Sequence, residues 1–96
     1  MNLKVVIRST QNIPGSPVRA YADITLNEVF VVRDVKLIQL GNRLFMGMPS
    51  KDIGNEKWRD MCHPINADFR EEMQAAYIEA YNDYLTNQAT KLIVQS

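Results

Sequence analysis

One cysteine and one histidine stand among 96 residues, and this scarcity excludes several chemistries. A lone Cys62 rules out an intramolecular disulfide. One Cys and one His fall short of the four converging ligands that structural zinc requires. Cys62 and His63 are also adjacent, and on an extended chain adjacent side chains point to opposite faces, so they cannot form a nucleophile–base pair. Four scattered glycines do not make a phosphate-cradling loop. An excess of charge of one sign is missing too: eleven Lys and Arg balance eleven Asp and Glu, which argues against coating nucleic acid by bulk charge. No apolar run approaches the length of a membrane span. The opening MNLKVVIRST lacks the apolar core and cleavage site of a signal peptide, and a free thiol suits a reducing compartment. The expected location is the cytoplasm, with no catalytic set, no metal, no cofactor, no small-molecule substrate and no membrane partner.

What is present is a chain with 46% hydrophobic residues, enough for one core and too short for two domains. Domains near this size bury only about 60–65% of their unfolded surface, so self-association would help them. The expected organisation is one domain over residues 1–85. A tail over 86–96 is expected to be loose or to add a short strand, with Leu92-Ile93-Val94 able to dock.

Alternation and turn residues predict an α+β fold: an antiparallel sheet of about five strands, then one C-terminal helix packed on one sheet face, with dimerisation through the sheet. Strands are expected over Leu3–Ser9, Val18–Leu26, Val29–Gln39, Leu44–Pro49 and Lys57–His63. Gln11–Pro17 reads as a loop, Asn27-Glu28 and Gly41-Asn42 as turns, and Lys51–Glu56 as an exposed charged loop. Pro64 stops the last strand. Asn66 or Asp68 caps a helix whose apolar stripe is Phe69, Met73, Ala76, Tyr77, Ala80 and Tyr84.

Tight turns fix register, and register fixes faces. Leu37 is expected opposite Met46, Val35 opposite Met48, Ile24 opposite Val31, and Leu26 opposite Val29. One face then collects the core and unexpectedly includes Arg33. The other carries Phe30, Val32, Ile38 and Phe45, with Gly47 as a bare spot. One helix covers one face, so these four side chains are the expected dimer interface.

The acids Glu71, Glu72, Glu79 and Asp83 fall mostly off the helix stripe and read as a solvated face. Before Ala67 bases outnumber acids, which places a basic sheet region beside an acidic helix. Lys51, Lys57 and Arg59 bracket the charged loop, near Lys36 and Arg43, and are the expected phosphate contacts, with plain solubility of an exposed loop as the alternative reading. Asp52, Glu56 and Asp60 interleave with them.

The segments ITLNEVFVVRDVKLI, LFMGMPSK and RDMCHPIN, followed by the helix, resemble the stage V sporulation protein G (SpoVG) family from about Val5 to Tyr84. The resemblance implies a small α+β protein that dimerises through its sheet. It also implies a DNA-binding, sometimes RNA-binding, regulator of gene expression, linked in spore formers to septation. Family binding is associated with the basic loop, onto which Lys51 and Arg59 carry over. The family's second base after the lysine is replaced here by Asp52, and its Pro-Asp-Gly-like turn by Ile53-Gly54-Asn55. The alternative is a protein-interaction module that uses the sheet edge or the tyrosine-rich helix, with little nucleic-acid affinity.

Overall fold

The computed structural model describes residues 1–95, with side chains to residue 87. Six strands precede one helix: β1 Leu3–Thr10, β2 Val18–Leu26, β3 Phe30–Leu40, β4 Arg43–Gly47, β5 Ser50–Gly54, β6 Lys57–Asp60 and α1 Ala67–Gln95. β1 to β4 form an antiparallel meander in the order β1-β2-β3-β4, and β5 and β6 form a separate two-stranded sheet. The α+β class is as expected. The strands divide differently, because the expected charged loop is itself half of a hairpin. Residues 86–95 continue the helix rather than adding a strand. The expected docking of Leu92-Ile93-Val94 lies outside the described side chains.

α1 lies on the sheet face that carries Ala20, Ala22, Ile24, Val35, Leu37 and Met46, and it adds Met73 and Tyr77 to them. Burying Ile24, Val35 and Leu37 completely contributes roughly 1.5–3 kcal/mol each. The helix starts where Asn66 Oδ1 accepts the Phe69 N–H at 2.9 Å, so Asn66 is the cap. Met46 N–H on edge strand β4 donates to Gln74 Oε1 of the helix at 3.0 Å. That contact occupies an edge donor that another strand would otherwise take. Of the helix tyrosines, Tyr77 is buried and Tyr81 and Tyr84 are half-buried, so they do not form a free aromatic face.

The β3–β4 register pairs Leu37 with Met46, as the Gly41-Asn42 turn predicts. The β2–β3 register does not follow its prediction. Leu26 pairs with Phe30 and Ile24 with Val32, while Ala22 pairs with Val35. Asp23 therefore faces both Arg33 and Asp34, a β-bulge with Asp34 at φ 59°. The extra residue shifts the parity of β3 on its two sides. Val32 and Val35, three apart, both turn toward the core, and Arg33 is released to the opposite face. Val29 lies in the turn and is 85% exposed, so it belongs to no core.

Candidate nucleic-acid interface

The bulge splits the four residues expected at a dimer interface. Phe30 and Val32 lie on the helix side, where with Leu26, Met48, Phe69 and Met73 they line an apolar groove of about 150 Å³. Ile38 and Phe45 pair with each other on the outer face. Cys62 packs against the core beside this groove. His63 is exposed, and its Nδ1 donates to the Pro64 carbonyl at 3.1 Å, a local contact at the strand-to-helix junction. Among the described residues no group of His, Cys, Asp and Glu converges to hold a metal.

The hairpin β5–β6 brings the three expected phosphate contacts together. Lys51 pairs with Arg59 and Gly54 with Lys57, so alternation puts Lys51, Lys57 and Arg59 on one hairpin face. Asp52 pairs with Trp58 and Ser50 with Asp60, so both aspartates fall on the other face. Charges that interleave in the chain are thus sorted by the pleat. Asp52 shapes the arm: its Oδ1 accepts the Gly54 N–H at 2.8 Å. The chain then turns through Asn55 and Glu56, both left-handed at φ 54° and φ 60°, the twist that suits a tight hairpin.

Two features make this arm costly in isolation. Like charges directly opposite one another destabilise a strand pair, and Lys51 faces Arg59. A two-stranded hairpin is at best marginally stable alone, and every residue of β6 is exposed, Trp58 by 66%. Lys51 and Arg59 also border a hollow of about 270 Å³ with Met61 and Asp60, so one acid of the arm reaches the rim shared by the two bases.

The outer face of the main sheet holds a second charged cluster that periodicity did not find. Asp23 is buried there, and its Oδ2 accepts from Arg8 Nε at 2.8 Å and from Arg33 at 3.1 Å. Burial pushes this carboxyl up. The Arg8 hydrogen bond and charge, the Asp34 N–H and the Arg33 charge outweigh burial and hold it below its ordinary value of 3.8. The sequence signal was Arg33 itself, a charge at a position that regular alternation would have buried.

Fold and site together define a small α+β domain: a helix-backed antiparallel sheet that projects a basic hairpin arm. The SpoVG family model matches residues 1–83. A Treponema denticola protein named as a septation protein, SpoVG, is 39% identical over 78% of this chain and 81% of its own length. A namesake from Desulforudis audaxviator is 40% identical over 78% of this chain and 85% of its own. Another from Macrococcus caseolyticus is 39% identical over 80% and 67%. The chain belongs to the SpoVG family.

Proposed function

We propose that this SpoVG-family chain is a non-enzymatic, homodimeric regulator that binds DNA, and also RNA, through the β5–β6 arm, in the septation-linked role that its relatives' name carries. The observation that supports it is the gathering of Lys51, Lys57 and Arg59 on one exposed hairpin face, with Asp52 on the other. Phosphate contacts of this kind position a nucleic acid without reading its sequence. Self-association is supported by Val29, Phe30, Met61 and Ile65, all large, apolar and exposed.

The test is a titration of labelled duplex across salt concentration. Lys51→Ala/Arg59→Ala should weaken binding about tenfold or more and flatten the salt dependence by close to 1 per lost contact. Asp52→Asn keeps the acceptor for Gly54 and removes a charge on the far face. It should bind within about threefold of the wild type, since a unit charge ~8 Å away in water is worth about 0.5 kcal/mol. Unchanged affinity in the double variant would sink the arm as the site. A monomer's mass by light scattering at micromolar concentration would remove the dimer.

A further inference from the structure

The outer sheet face has the composition of a nucleic-acid platform rather than of a dry interface. Leu3, Val5 and Ile7 of β1 pack against the core, as do Ala20, Ala22 and Ile24 of β2. Alternation therefore sends Lys4 outward, together with Tyr21 and Asp23. Tyr21 pairs with Lys36, Lys36 with Gly47, Ile38 with Phe45 and Leu40 with Arg43, so these also share the outer face. Gly47 confirms the side: a Cβ placed on it would lie 3.0 Å from Ile38 Cδ1 and 3.6 Å from Lys36 Cβ. Arg8 and Arg33 reach the same face through Asp23.

Five bases thus lie on this face: Lys4, Arg8, Arg33, Lys36 and Arg43. The acid among them, Asp23, is already shared by two arginines whose side chains stay 58% and 66% exposed, and Asp34 is exposed in the bulge nearby. Between the bases lie two half-buried aromatic rings, Tyr21 and Phe45, about 10 Å apart across the sheet and a further two residues apart along it. The Arg43 guanidinium lies over the Phe45 ring at 5.4 Å from its centroid. The exposed acids of α1 lie on the opposite side of the molecule.

We infer that this face binds an unpaired strand of nucleic acid, its bases stacked on Phe45 and Tyr21 and its phosphates held by Lys36, Arg43 and the arginines around Asp23. Charge complementarity selects this occupant over a second copy of the chain. Two copies stacked face to face would bring two sets of five bases together with one partly neutralised acid each, and like charges across an interface oppose association. Rings interleaved with bases on an open sheet are what a single strand recognises, because every base has a face to stack. A duplex hides those faces. The inference takes its class of partner from the function proposed above but places the strand on a different surface, the outer face of the main sheet rather than the β5–β6 hairpin.

The test uses the full chain and a labelled dT12 oligonucleotide, with U12 as a second probe. Phe45→Leu keeps apolar bulk and should weaken dT12 binding between about 5- and 100-fold, the loss expected for one stacked base. Lys36→Ala/Arg43→Ala should weaken it about tenfold and lower the salt slope by roughly 0.7 per contact. Against dT12, Lys51→Ala/Arg59→Ala should cost less affinity than Lys36→Ala/Arg43→Ala, and against duplex the order should reverse, which separates this surface from the arm. Photo-crosslinking of an oligonucleotide carrying 5-iodouracil, followed by peptide mapping, should label Tyr21 or Phe45, and it reads the wild type without any variant having to fold. Crosslinks confined to Trp58 and the arm would overturn the inference. So would wild-type affinity in both sheet variants, or a sheet variant that turns a dimer into a monomer while still binding dT12.

Discussion

Tyr77→Ala is expected to strip the chain of about 4–8 kcal/mol, a large fraction of its stability. Tyr77 is fully buried, and its hydroxyl donates to the Val35 carbonyl at 2.8 Å, joining helix to sheet one residue past the bulge. Truncating a buried aromatic costs about 3–5 kcal/mol. Leaving the Val35 carbonyl without its donor adds about 1–3 kcal/mol. A domain of this size has only about 5–14 kcal/mol of stability in all. Tyr77→Phe separates the two contributions, because it keeps the ring and removes only the donor. It should lower stability by about 1–3 kcal/mol, and the melting temperature by about 4–8 °C for each kcal/mol. Burial, aided by the neighbouring Tyr81, pushes the Tyr77 hydroxyl far above its ordinary range. The donor therefore stays protonated, and this contribution should not fade at mildly alkaline pH. Urea melts followed by circular dichroism measure both variants. A Tyr77→Phe midpoint equal to the wild type would mean that the hydroxyl contributes nothing net.

Tyr77 was legible in the sequence, as were its stripe-mate Met73 and strand β2 from Val18 to Leu26, because each follows from periodicity; the cap was narrowed only to Asn66 or Asp68, and the hydrogen bond to Phe69 decides for Asn66. The bulge was not. Asp34 takes a left-handed conformation that glycine would have announced, and nothing in the local text replaces glycine as a marker. Its only trace was Arg33 at a core parity. One undetected residue displaced Phe30 and Val32 to the helix side, which shows how strongly face assignments depend on register. Of the arm, β6 falls within the strand expected over Lys57–His63, but β5 was missed for a different reason. Ser50–Gly54 lacks alternating apolar residues, since it has no core to face, and periodicity cannot detect a strand that buries nothing. The available signal was the dipeptide Asn-Glu. It turns the chain at 27–28 and again at 55–56, with both residues left-handed each time. Having accepted the first as a turn, a reader could have looked for a hairpin around the second.

Asp23 links stability to the proposed outer surface, and substituting it should move the two in opposite directions. Asp23→Asn removes the charge that both guanidiniums meet and puts an amide in a buried position against two cations. Hydrogen bonds to charged groups contribute about 1.5–3 kcal/mol, and the variant should lose stability of that order. The effect should depend on pH with a definite sign. The folded carboxyl titrates below 3.8, its ordinary value, so its stabilisation is complete above that value and disappears as pH falls through it to the lower folded one. The gap in unfolding free energy between wild type and Asp23→Asn should therefore be constant from pH 7 to about pH 5 and shrink steadily below about pH 4. A gap that persisted at pH 3 would mean that packing, not ionisation, accounts for the loss. Binding should respond the other way. Freed of their shared carboxylate, Arg8 and Arg33 each offer an uncommitted guanidinium, and the face gains one positive charge. Affinity for dT12 should rise, with a salt slope steeper by up to about 0.7. A variant that loses stability and oligonucleotide affinity together would assign Arg8, Asp23 and Arg33 to holding the bulge alone, since a purely structural cluster has no means of improving binding while it weakens the fold.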